Sequence, residues 1–248
     1  CVILTSATLT ANNSFDYIRA RLNADEADEL ILGSPFDYEN SALLFLPTDM
    51  PEPIDARNYQ RFVERAILQT AKATGGRMLA LFTSYRQLLE TSRLIKPHLE
   101  REGIQVYEQG TGASTSSLLD SFRATERSVL FGTKSFWEGV DVPGEALSVL
   151  MIVKLPFDVP SDPIIAARSE TFENPFAEYT LPEAILRFRQ GFGRLIRTQS
   201  DRGVVAILDR RIRSKQYGQL FLQSLPDCHL VESSIEDLPE SSTRWLNL

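Results

Sequence analysis

Cysteine and histidine are scarce in this chain, and the scarcity excludes several kinds of chemistry. Cys1 and Cys228 are the two cysteines, too few and too far apart for a disulfide framework or a cysteine-rich metal or iron–sulfur site. His98 and His229 stand alone, and no cluster of His, Cys and carboxylates has metal-ligand spacing. Positive charge is in deficit as well. Lys and Arg total 26 against 33 Asp and Glu, a net charge of -7 with a pI near 5.0. That balance excludes a broad basic surface, so any contact with nucleic acid has to come from a local patch. No apolar run reaches the roughly 18 residues of a membrane span, and no charged-then-apolar signal segment opens the chain. A soluble protein of a reducing cytosol, without a membrane partner, is the expectation.

What is present suffices for a substantial core. With 248 residues, 43% of them hydrophobic and 24% charged, the chain has room for one large domain or one and a half. Short apolar runs, often β-branched, recur at Leu43–Leu46, Met78–Phe82, Ile104–Tyr107, Ser128–Phe131, Ser148–Val153 and Val204–Leu208, as strands covered on both faces should. Between them the periodicity predicts helices at Tyr59–Ala73, Tyr85–Glu102, Ser117–Ala124 and Leu181–Arg197. Such alternation gives a mostly parallel sheet between helices, a three-layer α/β/α sandwich. The stretch from Phe157 to Tyr179, with Pro160, Pro163 and Pro175, reads as loop around a short helix at Ile164–Thr171. Ser14 to Arg21 reads as a short helix, Gly33-Ser34-Pro35-Phe36 as a turn where a boundary would fall, and Ile235 to Leu248 is weakly patterned. Cys1-Val2-Ile3-Leu4 reads as a buried strand already in progress. A strand with nothing before it to pair with suggests an excised fragment, the alternative being an N-terminal edge strand.

One segment stands out for chemistry, Gln190-Gly191-Phe192-Gly193-Arg194-Leu195-Ile196-Arg197. On a helix, Glu183, Arg187, Gln190, Arg194 and Arg197 fall within about 80° of one another, opposite Ile185, Phe188, Phe192, Leu195 and Ile196. One face packs, and the other presents guanidiniums and an amide. A solvated charged face would account for the arginines alone. Gly191 and Gly193, however, each cost a helix about 1 kcal/mol relative to Ala, a cost that close approach of a backbone or ligand would offset. Guanidinium suits bidentate phosphate binding, and arginines facing a γ-phosphate stabilise charge in phosphoryl transfer.

A second segment, Gly132 to Asp141, directly follows a strand, where open α/β sheets place their ligand crevice. Amides near Gly132 and the hydroxyls of Thr133 and Ser135 are suited to a nucleic-acid phosphate, and Glu138 and Asp141 to a ribose or to orienting the arginines. A plain strand–helix connection with Trp137 as core filler is the competing reading. Two look-alikes fail. Gly132-Thr133-Lys134-Ser135 lacks the Gly directly before Lys that a phosphate-binding loop requires. Val204–Leu208 followed by Asp209 is like a magnesium-holding strand, but Arg210 follows where Glu is expected.

Taken in order, Thr5-Ser6-Ala7-Thr8, Leu81-Phe82-Thr83-Ser84-Tyr85, Phe136-Trp137-Glu138-Gly139-Val140-Asp141 and Gln190-x-x-Gly193-Arg194-x-Ile196-Arg197 resemble motifs III to VI of superfamily 2 helicases. Within that superfamily the chain is most similar to the DinG/XPD-like group. The resemblance implies two RecA-like motor domains with ATP and Mg2+ between them and single-stranded DNA across them, translocating 5′ to 3′. It implies that Ser6, Ala7 and Thr8 couple the ATP site to DNA. Glu138, Gly139 and Asp141 would lie on the nucleotide side of the cleft, and Gln190, Arg194 and Arg197 would face the phosphates. Thr83, Ser84 and Tyr85 would lie toward the DNA with Thr133, Lys134 and Ser135. The phosphate-binding loop, the Asp-Glu-x-His-type box and any iron–sulfur cysteines of the group precede the Ser-Ala-Thr motif, so they would lie upstream of Cys1. Residues 1 to 34 would then be the last piece of a first motor domain and 35 to 248 the second, inactive alone. Two other functions compete: a nucleic-acid-binding module without hydrolysis, stacking bases on Tyr85, Phe136 and Trp137, and a protein-docking domain using the same surface.

Overall fold

The computed structural model describes residues 2–6, 8–11, 14–137 and 146–248. Seven strands among them form one sheet: β1 Ala42–Pro47, β2 Met78–Leu81, β3 Gln105–Glu108, β4 Ser128–Gly132, β5 Val149–Ile152, β6 Gly203–Ile207 and β7 His229–Ser233. Every pairing is parallel, in the order β3-β4-β2-β5-β6-β1-β7. The five inner strands are buried at every position, whereas the edge strands are more open, β3 burying Val106 alone and β7 burying no residue fully. Burial on both faces is why the inner strands are unbroken apolar runs.

Side chains pointing to opposite faces of the sheet build two cores. Leu43, Phe45, Met78, Ala80 and Phe82 face α3 Ala56–Thr74, α4 Tyr85–Arg101 and α11 Leu238–Leu246. Leu44, Leu79, Leu81, Leu150 and Val205 face α5 Thr115–Ala124, α6 Lys134–Trp137, α8 Leu181–Phe192 and α10 Gly218–Gln223. In α3 the buried Tyr59, Val63, Ala66, Ile67, Thr70, Ala71 and Thr74 form one stripe at helical spacing. Asp55 caps its first turn and Gly75, at φ 72°, closes its last. The remaining short helices are α1 Asp16–Leu22, α2 Tyr38–Ser41, α7 Pro163–Ser169 and α9 Arg211–Ser214, with a π-helical turn at Phe176–Thr180 leading into α8.

Three expectations need correction. Val2, Ile3 and Leu4 are not a buried strand: they are 85%, 84% and 57% exposed and outside any ladder. An apolar β-branched run becomes a strand only where a neighbouring edge accepts its backbone groups, and this segment pairs with neither edge strand, β3 or β7. The arginine helix ends at Phe192, not Arg197, with Gly193 at the cap donating its N–H to the Arg189 carbonyl. Leu195 turns off the helix onto Gly203 at the start of β6, where an added Cβ would lie 2.5 Å from its side chain. The weakly patterned end from Ile235 to Leu248 is ordered, a 3-10 turn at Ile235–Asp237 leading into α11, which packs Leu238, Trp245 and Leu246 against the α3 core; β7, just before it, has no counterpart among the expected strands.

Candidate nucleotide and nucleic-acid site

The connection leaving β2 passes to the α4 face of the sheet, whereas those leaving β4 and β5 pass to the opposite face. Adjacent parallel strands whose connections diverge open a crevice at their carboxyl ends. Thr83, Ser84 and Tyr85 line one side of it and Thr133, Lys134 and Ser135 the other, so the structure brings these two groups of sequence-expected residues together. Ser84 caps α4 through its hydroxyl, which accepts from the Gln87 N–H, and directs the positive end of that helix toward the crevice. Tyr85 is 46% exposed and lies over the turn at Gly110, where a Cβ would stand 3.1 Å from its ring.

A residue not singled out from the sequence organises the other side. The Gln109 amide oxygen accepts from both the Thr133 N–H and the Thr133 hydroxyl, each at 2.8 Å, and its amide nitrogen donates to Ser135 Oγ at 2.8 Å. Thr133 is thereby held rather than offered: a phosphate oxygen, itself an acceptor, would have to displace Gln109 to receive either hydrogen. Ser135 accepts from Gln109 and keeps its own hydroxyl hydrogen available. Lys134 is exposed and pairs with Asp158 at 3.3 Å. The one signal for Gln109 in the sequence was its position directly after a strand and before Gly110-Thr111-Gly112.

Trp137 joins this crevice to the arginine segment. Its indole N–H donates to the Phe82 carbonyl at 3.2 Å, and its own carbonyl accepts from Arg194 Nη2 at 3.0 Å. Its ring also occupies the space where a Cβ on Gly191 would sit, 2.8 Å away. Gly191 therefore answers to close packing by a tryptophan, not to a ligand, and Trp137 is core filler and connector at once. Phe136 and Trp137 are buried, so neither can stack a base; of the three aromatic platforms considered, Tyr85 alone is exposed.

The polar face of α8 is committed side chain by side chain. Glu183 accepts from the Tyr17 hydroxyl at 2.5 Å, and Arg187 reaches the Pro156 carbonyl and, at 2.7 Å, Asp158. Gln190 donates to Thr8 Oγ1 at 3.4 Å, while its amide oxygen is buried without a hydrogen-bond partner among the described residues. Arg189, overlooked in the sequence, donates to the hydroxyl and carbonyl of Thr10. Its guanidinium is half-buried, and desolvation lowers its pKa. The helix thus grips the segment before residue 24 at several points. Ser6 and Thr8 bond each other within that segment. Because α8 stops at Phe192, Arg194 and Arg197 do not share a helix face: Arg194 turns inward, 8% exposed. Arg197 lies in the following loop, where Asp201 accepts from the backbone N–H groups of Arg197 and Thr198. Ala7, Glu138, Gly139 and Asp141 lie outside the described residues.

Asp209 is spent on structure. It is fully buried and accepts from the Leu155 N–H, the Arg211 N–H and the Arg211 guanidinium at 2.6 Å. Among the described residues, no group of three or more His, Cys, Asp or Glu side chains is arranged for a metal ion, and no helix is long and apolar enough to cross a membrane.

The chain is 39% identical over 247 residues to the 3'-5' exonuclease DinG of Bacillus subtilis, 96% of this chain and 26% of that protein. It is 38% identical over 231 residues to the ATP-dependent DNA helicase YoaA of Escherichia coli, 90% of this chain and 35% of that protein. The chain spans about a quarter to a third of the length of these relatives. A solved XPD helicase superposes with a TM-score of 0.57 at 22% identity, over 79% of this chain and 36% of that one. The C-terminal domain of the DEAD-box protein Dbp5 superposes at 0.51 and 14% identity, over 86% of this chain and 100% of that one. These two likenesses concern the fold, which is RecA-like. The family model for the helicase C-terminal domain matches residues 67–228, and the chain belongs to that family.

Proposed function

We propose that this chain is the second motor domain of a DinG-like ATP-dependent DNA helicase, with residues 1 to 34 the end of the first motor domain and 35 to 248 the second. Arg194, Arg197 and Gln190 serve the phosphates of ATP held with Mg2+ by the first domain, and Glu138, Gly139 and Asp141 belong to the same side. Thr83, Ser84, Tyr85, Lys134 and Ser135 carry part of a single-stranded DNA track, and Thr133, held by Gln109, is part of its frame. Ser6, Ala7 and Thr8 couple the two. The observation that carries this reading is the position of Trp137, bonded to the carbonyl beside the Thr83–Tyr85 loop and to Arg194. One residue thus links the two sides, its indole bonded toward the DNA side and its backbone carbonyl toward the guanidinium.

The Gln190 amide oxygen, buried and without a hydrogen-bond partner among the described residues, is an acceptor of the kind a site for a bound nucleotide would use. The contact from Gln190 to Thr8 supports the coupling role of the Ser-Ala-Thr segment. With no phosphate-binding loop in its sequence, the chain holds neither the β-phosphate nor magnesium by itself. The purified chain should show no ATP turnover or unwinding, and the whole protein should show both, with single-stranded DNA stimulating hydrolysis. Steady-state turnover by the chain above a contaminant control would refute the assignment.

A further inference from the structure

We propose a second strand-binding element beyond the crevice, an aromatic ledge on Phe176 flanked by the cations Arg210 and Lys215, which stacks a base of single-stranded nucleic acid. The inference rests on the DNA-track reading above and extends it. Phe176 begins the π-helical turn ahead of α8 and is 44% exposed. Its ring stacks on Phe157, with centroids 6.0 Å apart and planes 25° apart, and Tyr217 meets both rings edge-on at 5.5 Å. A half-exposed ring already ordered by two others offers its exposed part to a ligand at little further ordering cost.

The ledge is held from beneath. Asp209 accepts from the Leu155 N–H, Arg187 donates to the Pro156 carbonyl, and Asp158 bonds Arg187 and Lys134. The loop carrying Phe157 is therefore tied, through Asp158, to the very lysine assigned to the strand. The segment that reaches the ledge through Tyr217, and through the Arg211 guanidinium 5.7 Å from the Phe157 ring centroid, is cationic. In a chain of net charge -7, Arg210, Arg211, Arg213 and Lys215 fall within six residues. Arg211 is bound to Asp209 and Arg213 to Glu232, whereas Arg210 and Lys215 are exposed. Cations along a backbone path beside an accessible aromatic face are what strand binding without sequence preference requires. That charge favours a polyanion over an apolar protein surface as the occupant.

The test is binding of fluorescein-labelled oligodeoxythymidylate by the whole protein across a salt series. Phe176→Ala should weaken binding about 10-fold or more, as loss of one base stack does, with an unchanged salt slope. Arg210→Ala combined with Lys215→Ala should reduce the slope of log K against log salt by about 1.4, or 0.7 for each phosphate released. On an abasic strand the difference between parental protein and Phe176→Ala should vanish. Should Phe176→Ala fail to fold, Phe176→Trp should bind at parental strength and add fluorescence that the strand quenches. Weakening by Lys134→Ala alone, with the Phe176 and cation variants at parental strength, would overturn the ledge and leave the track standing. Parental binding by all three would overturn both. An equal loss for Phe176→Ala on intact and abasic strands would place the ring against protein and overturn the stacking role.

Discussion

Arg194 donates from Nη2 to the carbonyl oxygen of Trp137 across 3.0 Å, in a setting where both residues are buried. This bond separates two arginines that the sequence places three residues apart. Arg194→Ala would strip a buried carbonyl of its donor, a loss of about 1–3 kcal/mol, visible as a lower midpoint in urea. Arg197, half-buried in a loop pinned through its backbone by Asp201, offers the cleaner functional test. In the whole protein Arg197→Ala should lower ATP turnover about 10³-fold, the scale of an arginine finger, with DNA affinity retained without nucleotide. Parental turnover combined with lost DNA affinity would move this loop to the strand side.

Gly191→Ala probes the same tryptophan. Its Cβ would come within 2.8 Å of Trp137 Cε3 and 3.3 Å of Leu81 Cδ1, and a ring wedged in the core cannot retreat. Overpacking should cost about 1–3 kcal/mol, although alanine is the better helix former by about 1 kcal/mol. Denaturant unfolding decides the sign, and a stabilised Gly191→Ala protein would show that the ring shifts freely.

Gln109 should act as a positioning residue for the strand. Gln109→Leu removes three hydrogen bonds to Thr133 and Ser135 and should weaken single-stranded DNA binding several-fold. Gln109→Glu keeps the acceptor for Thr133 and can accept from the Ser135 hydroxyl, but it sets a negative charge beside the strand. Its deficit should therefore depend on salt, as charge effects do, whereas that of Gln109→Leu should not. Identical salt behaviour in the two variants would refute the clamp.

Burial, with Asp227 adding to it, pushes the Cys228 thiol up to about 12. An ordinary cysteine ionises near pH 8.5, so the folded pKa is the higher one. The resulting stabilisation is complete below about pH 8.5 and is lost as pH rises toward about 12. Alkylation of Cys228 by iodoacetamide should accordingly stay slow at pH 8.5 in the folded protein and become fast in urea. Rapid labelling of folded protein at that pH would contradict the burial.

Apolar runs in the sequence were enough to place β1, β2, β4, β5 and β6, because strands covered on both faces carry no polar interruptions that periodicity could misread. The same property made α3 and α4 legible, since each pairs a clean stripe with a capping residue. An edge strand such as β7, with Leu230 half exposed, keeps too little of that signal, and its pairing with β1 comes from a segment nearly two hundred residues away. The order of Ser-Ala-Thr, Thr-Ser-Tyr and Gln-x-x-Gly-Arg motifs revealed the family without any coordinates. Tertiary structure alone decided where the arginine helix ends, what Gly191 makes room for, and that Gln109 already holds Thr133. Those depend on Trp137, Gly203 and a strand end remote in sequence, and propensity along a chain does not register which distant atoms will fill a given space.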